Sequence, residues 1–192
     1  MTDTHPALID KPALRRRLLA ERKAMIDRDD RAGRLAGRLA TWLERRSESV
    51  VGAYWPILGE FDALPVLGAW LTADPVHVVG LPVIDPVSDA MTFRAWWPGC
   101  PMTADRYGIP MPDGTPSVAP QLLLVPCVGF GPRGVRLGYG GGYYDRTLGS
   151  MHPVERPATL GIAFAHGHLP ELTALVHDIP LDAILTEDGL AG

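Results

Sequence analysis

The residues of this 192-residue chain best suited to chemistry lie in one stretch, from Val125 to Arg146. An apolar run, Leu122 to Val128, leads into a segment holding Gly129, Gly131, Gly134, Gly138, Gly140, Gly141 and Gly142, a third of the chain's 21 glycines. Without a Cβ, glycine lets backbone N–H groups turn toward an anion and lets a phosphate approach closely. Arg133 and Arg136 add fixed positive charge, and Asp145 supplies a hard oxygen ligand beside them. The segment reads as a phosphate cradle with an adjoining Mg²⁺ site. It is not a dinucleotide fingerprint: Gly129-x-Gly131-x-x-Gly134 follows a strand, but Pro132 and Arg133 stand where a helix should open. A Walker loop is also excluded, because no Gly-Lys-Ser/Thr occurs.

Other groups converge on the same chemistry. Glu60 and Asp62 follow a short apolar strand, and Asp178 follows His177 in a loop that precedes another. Ligands of open α/β sheets gather beyond the carboxyl ends of strands, so Glu60, the 129–145 loop and Asp178 are expected to share one such edge. The aromatics Trp55, Trp96, Trp97, Tyr107, Tyr143 and Tyr144 include candidates for packing a flat heterocycle, with core packing as the alternative for each. His166-x-His168 lacks the further ligands of a metal site. Lys11 and Lys23 are the only lysines beside 16 arginines, which singles out their compact ammonium groups.

Around these residues the pattern predicts helices over 12–26, with Leu14, Leu18 and Met25 inward and the arginines facing water, and over 29–46, with Ala32, Leu35, Leu39, Trp42 and Leu43 on one face. Strands are expected at 50–54, 76–81, 91–96, 122–128, 159–164 and 183–185. Helices are expected over 64–71, from Gly142 to Leu148, and near 170–176, with an ordered Pro/Gly-rich loop over 98–120. Alternation of strands and helices implies one α/β domain over 11–192, after a loose tail at 1–10.

The composition is that of a soluble globular protein, 46% hydrophobic and 21% charged, with no membrane-length apolar run and no visible signal peptide. Cys100 and Cys127 lack metal-site spacing and suit a reducing, cytoplasmic setting. The net charge of −4 hides a contrast: residues 11–46 carry 12 of the 18 Lys/Arg against five acids. A basic start of this kind suggests either a polyanion partner such as RNA or a helical face lying against an acidic body, and the latter is preferred because no aromatics are interleaved with the basic residues.

Taken together, these segments resemble the 5-formyltetrahydrofolate cyclo-ligase family, from about Lys11 to Glu187. The most specific match is Gly134 to Asp145, reading GVRLGYGGGYYD. Shorter matches are Lys11-x-x-x-Arg15, Tyr54-x-Pro56-x-x-x-Glu60, Tyr107-Gly-Ile-Pro110, and His177-Asp178-x-Pro180-Leu181-Asp182 leading to Thr186-Glu187. The resemblance implies a three-layer α/β/α sandwich with a mixed, mostly parallel sheet. It implies ATP- and Mg²⁺-dependent closure of 5-formyltetrahydrofolate to 5,10-methenyltetrahydrofolate by a cytoplasmic, monomeric enzyme with no nucleic-acid or membrane partner. Carried over residue by residue, Lys11, Arg15, Arg136, Leu137, Gly138, Tyr139, Gly140, Gly141, Gly142, Tyr143 and Tyr144 would bind nucleotide. Arg136 and Tyr144 would be catalytic, Asp145 and Asp178 would hold Mg²⁺, and Trp55, Glu60 and Tyr107 would contact folate. The chain departs from the family pattern at Gly131, where Asp is common, and at Gly167, where Gln is common. Those departures motivate an alternative, an ATP-using relative acting on another N-formyl or pterin-like compound; a nucleotide- or RNA-binding module is the alternative of a different class.

Overall fold

A computed structural model describes residues 10–84 and 91–191. Of the expected tail, only Asp10 falls among them. Its carboxylate accepts from the Ala13 amide at 2.9 Å and caps α1 (Lys11–Ala24), with Pro12 in the first turn where its missing N–H costs nothing. In α2 (Arg28–Leu43), Leu35, Leu39 and Leu43 recur at one-turn spacing and are all buried. The remaining elements are β1 (Val50–Gly52), α3 (Leu64–Ala73), β2 (Val78–Ile84), β3 (Met91–Trp96), β4 (Met102–Ala104), β5 (Pro110–Pro112), β6 (Ser117–Val118), β7 (Leu122–Pro126), β8 (Gly129–Phe130), β9 (Arg136–Leu137), α4 (Tyr143–Ser150), β10 (Ala158–Ile162), β11 (Ala183–Thr186) and β12 (Gly189–Ala191).

The main sheet runs β12-β11-β10-β7-β1-β2-β3-β6. Its centre, from β11 through β10, β7 and β1 to β2, is parallel, while β12, β3 and β6 pair antiparallel at the edges. β7 shows why the sheet needs cover on both faces. Leu122 and Leu124 pack into one core with Leu35, Leu39, Leu67 and Trp70, whereas Leu123 and Val125 pack into another with Leu148 and Ile184. Side chains alternate across a strand, so a continuous apolar run requires a helix layer on either side. The α/β fold with a mixed, mostly parallel sheet is as the sequence implies.

Four expectations need correction. No helix forms near 170–176. The Asp178 carboxylate takes the Leu175 amide at 2.8 Å, and buried Leu172 plugs a third core beside α1, so the stretch is held as turns. The 98–120 segment is not merely loop, because β4 and β5 form a hairpin and β6 joins the main sheet edge. Not all arginines of α1 face water: Arg22 is 1% exposed, since its guanidinium satisfies carbonyls beyond the end of β7. Arg133 is exposed and left-handed (φ 56°), at a turn pointing away from the cavity described below.

That turn exists because two stretches of backbone meet. Gly134 has φ +73°, and a Cβ there would overlap the Leu181 carbonyl oxygen, whose own amide donates to the Gly134 carbonyl at 2.9 Å. Both the backbone angle and the contact exclude a side chain. Gly134→Ala is therefore expected to lower unfolding free energy by about 3 kcal/mol or to prevent folding; urea titration checks this, and wild-type stability would contradict the packing.

Candidate active site

A cavity of about 620 Å³ opens where β1, β7, β9 and the start of α4 converge. Every site residue that the family resemblance implies lines it: Lys11, Arg15, Trp55, Glu60, Tyr107, Asp145, Asp178 and the whole run from Arg136 to Tyr144. The glycine segment divides by role. Gly138, Gly140, Gly141 and Gly142 line the cavity, with Gly140 and Gly142 at positive φ, whereas Gly129, Gly131 and Gly134 do not reach it. These last are packing glycines. A Cβ on Gly129 would lie 2.7 Å from Leu18 Cδ1, and one on Gly131 would lie 2.8 Å from Leu172 Cβ. Gly167, also off the cavity, packs against the Val128 carbonyl. The two departures from the family pattern thus lie behind the site, where close backbone approach favours glycine.

One end of the cavity is cationic. The Arg136 guanidinium is held by the Ile179 carbonyl at 2.6 Å and by Asp145 Oδ1 at 2.8 Å, and the same Asp145 oxygen accepts from the Ile179 amide at 2.9 Å. Lys11 Nζ lies 2.9 Å from Asp178 Oδ2. Burial works against ionisation of Asp178, but the Leu175 amide and the Lys11 ammonium outweigh it, and the carboxyl is held below its ordinary pKa. Arg15 donates to the Gly138 carbonyl at 2.7 Å and lies against Gly140. Arginine, lysine and the amides opening α4 thus surround a space lined with glycine, an arrangement suited to a polyphosphate.

The other end is apolar and aromatic. Trp55, Ile57, Ile84 and Met91 line it, joined by Ile109, Pro110 and Met111 from the β4–β5 hairpin. At the rim the Tyr107 and Tyr143 hydroxyls are 2.7 Å apart, tying that hairpin to α4. The hairpin's contribution was missed from sequence beyond Tyr107; its Tyr-Gly-Ile-Pro run was the available signal. Glu60 also lines the cavity and is only 6% exposed. Its Oε2 accepts from the Ile57 amide at 2.8 Å, while Oε1 has no hydrogen-bond partner. Desolvation raises the Glu60 pKa to about 7, opposed in part by the Ile57 amide, the Tyr139 hydroxyl and the Arg22 charge. Burial pushes the Cys127 thiol up to about 12, so it is not poised as a nucleophile.

Much of the basic N-terminal stretch is used internally. Besides Lys11, Arg15 and Arg22, Arg28 donates to the Glu60 carbonyl, Arg31 pairs with fully buried Glu187, and Arg38 donates to the Glu187 carbonyl. Of these, Lys11 and Arg31 meet acidic side chains of the body, while Arg15, Arg22, Arg28 and Arg38 meet mainly backbone carbonyls.

Fold and cavity together define an α/β protein with a cationic, glycine-lined anion site joined to an apolar slot. The 5-formyltetrahydrofolate cyclo-ligase family model matches residues 8–187. The chain is 30% identical over 160 residues to 5-formyltetrahydrofolate cyclo-ligase of Escherichia coli K12, covering 79% of this chain and 85% of that one. It is 28% identical over 193 residues to the Mycolicibacterium smegmatis enzyme of the same name, covering 92% and 93%. The solved structure of 5,10-methenyltetrahydrofolate synthetase from Aquifex aeolicus superposes with a TM-score of 0.75 at 27% identity, covering 95% of this chain and 92% of that one. That of Mycoplasma pneumoniae, at 23% identity and also 0.75, shares the fold. The chain belongs to the 5-formyltetrahydrofolate cyclo-ligase family, a family of enzymes.

Glu60 carries a stability prediction. Its folded pKa of about 7 lies above the ordinary carboxyl value of 4.5, so the folded state holds the extra proton and stability falls as pH rises between those values. Glu60→Gln is expected to raise unfolding free energy at pH 8 by about 2 kcal/mol, with the gain vanishing toward pH 4. Paired melts at the two pH values check this; a variant no more stable than wild type at pH 8 would contradict the buried-carboxylate account.

Proposed function

We propose that this enzyme converts 5-formyltetrahydrofolate to 5,10-methenyltetrahydrofolate with hydrolysis of ATP to ADP and phosphate. The supporting observation is the joining, in one cavity, of a cationic glycine-lined part to an apolar, aromatic part, with the buried Glu60 among the lining residues. The formyl group on N5 is an amide, and its oxygen is a poor leaving group. Transfer of the γ-phosphoryl to that oxygen breaks the bond to ADP and leaves an N5-iminium carbon bearing phosphate. Folate N10 attacks this carbon, the C–O bond breaks, phosphate departs, and N10 loses its proton.

The chain's contribution is position and charge. Phosphoryl transfer needs alignment and neutralisation of developing charge, which Arg136, Lys11, Arg15 and the amides of Gly140 to Tyr143 supply. Tyr144, half-buried and with its pKa raised by desolvation, stays a neutral hydroxyl donor at the reacting group. N10 belongs to the substrate, so no protein nucleophile is needed. Trp55 and Tyr107 would pack the folate rings, and the unpartnered Oε1 of Glu60 would accept a pterin N–H.

Mg²⁺ would be held by Asp145 and Asp178. No group of three or more His, Cys, Asp or Glu side chains suited to a metal occurs among the described residues. Two hard carboxylates fit an ion that completes its shell with phosphate oxygens and water. When bound, the ion would neutralise phosphate charge. Asp145 and Asp178 now pair with Arg136 and Lys11, so its arrival would release both cations toward the nucleotide. The unpaired cysteines suit a reducing compartment such as the cytoplasm.

Purified protein mixed with 5-formyltetrahydrofolate, ATP and Mg²⁺ should yield methenyl product and ADP together, neither without the other substrate. ADP without methenyl product would indicate a different acceptor and favour the alternative N-formyl substrate. Arg136→Ala should lower turnover by about 100-fold, and near-wild-type turnover would remove its assigned role. Asp145→Asn should raise the Mg²⁺ concentration giving half-maximal rate; an unmoved Mg²⁺ titration would place the ion elsewhere.

A further inference from the structure

Arg22 is the largest fully buried side chain in the structure that carries a charge, and no part of the proposed chemistry uses it. It leaves the last turn of α1 and ends beneath the cavity floor rather than in it. One terminal nitrogen donates to the Cys127 carbonyl at 2.7 Å. The other donates to the Tyr139 hydroxyl at 3.0 Å. Tyr139 lines the cavity beside Glu60, and Arg22 presents its stem 3.5 Å from where a Gly59 Cβ would stand, in the turn that carries Glu60.

The hydrogen-bond direction decides what this does. A guanidinium has only donors. The Tyr139 oxygen must therefore accept from Arg22, which leaves the hydroxyl proton free to turn toward the neighbouring Glu60 carboxylate, whose buried Oε1 has no hydrogen-bond partner of its own. The other groups around Glu60 are otherwise engaged or neutral. The Tyr54 hydroxyl, from just beyond β1, donates to the Phe61 carbonyl at 2.8 Å, Arg28 of α2 bonds the Glu60 backbone rather than its side chain, and the Cys127 thiol donates to the Val125 carbonyl. Tyr144 of α4 is held neutral by burial.

We infer that Arg22 is a positioning residue, acting through the Tyr139 hydroxyl to keep Glu60 anionic and aimed at the substrate. The inference rests on the folate reading of the Glu60 end of the cavity. Both Arg22 and Tyr139 oppose the desolvation that pushes the Glu60 proton on, so removing either should make Glu60 harder to ionise.

The test titrates Glu60 by infrared spectroscopy in the ligand-free full chain, its carboxyl band assigned by its loss in Glu60→Gln. Tyr139→Phe removes one oxygen and leaves the Arg22–Cys127 bond in place. Arg22→Lys keeps the charge without the fork, and Arg22→Met removes both. The midpoint is expected to rise by about one pH unit in Tyr139→Phe and Arg22→Met, and less in Arg22→Lys. From a midpoint of about 7, that shift leaves about fivefold less carboxylate at pH 7, so KM for 5-formyltetrahydrofolate should rise about fivefold while the Arg22→Lys KM for ATP holds. A merely structural role would lower melting temperature and leave the midpoint in place. An unmoved midpoint in folded Tyr139→Phe overturns the inference, including where the Arg22 variants fail to fold. Wild-type protein making no methenyl product would instead refute the folate reading, with the titration still deciding the relay.

Discussion

The close approach of residues 129–135 to the chain between Gly167 and Leu181 is the constraint on which the rest depends. Gly131 lies against Leu172 and Gly134 against Leu181, each at a distance that leaves no room for a side chain, and Gly167 lies against Val128, where a Cβ would be tight. Amides from the two stretches close the contact, Leu181 to Gly134 at 2.9 Å and Leu169 to Phe130 at 2.7 Å. Once those backbones are fixed, Arg136 emerges within reach of Ile179 and Asp145, and Asp178 within reach of Lys11. Packing on the far side of the segment thereby sets the charge geometry on the cavity side.

The cavity itself works against stability. A carboxylate at Glu60, an arginine at position 22 and a glutamate at position 187 are all buried, and each must be compensated. Glu187 is compensated fully, by Arg31 at 2.7 Å and the Ala165 amide at 2.8 Å, and it joins α2 to the edge of β11. Glu60 is compensated only in part, with one oxygen bound and the other buried without a hydrogen-bond partner. A structural carboxylate would gain from a second partner; a carboxylate awaiting a ligand is more useful without one. The contrast between these two glutamates separates scaffold from site without reference to any relative.

Much of this was legible in the residues. The glycine, arginine and tyrosine run marked the anion end, the continuous apolar run from Leu122 marked a strand, and Leu35, Leu39 and Leu43 marked the inner face of α2. What was not legible depends on partners far along the chain. Nothing local distinguishes Arg22 from Arg16 or Arg17 on a basic helix; its burial is decided by carbonyls about a hundred residues later. Likewise, which glycines line a cavity and which admit a neighbouring backbone follows from Leu172 and Leu181, not from spacing. The β4–β5 hairpin escaped notice because its strands are short and rich in proline, so the pairing of Met102 with Pro112 leaves no periodic signal. The missing helix at 170–176 reflects side-chain capping by Asp178, which competes with helix formation over a stretch too short to nucleate.

The central claim is that the cationic end of the cavity delivers a phosphoryl group to the formyl oxygen of a folate held at the apolar end. A single turnover with 5-formyltetrahydrofolate isotopically labelled in its formyl oxygen tests it most directly. The account predicts that the label appears in the released inorganic phosphate, one labelled oxygen per methenyl product. Unlabelled phosphate with the label in water would contradict it, because N10 would then close the ring without passing through a phosphorylated formyl group.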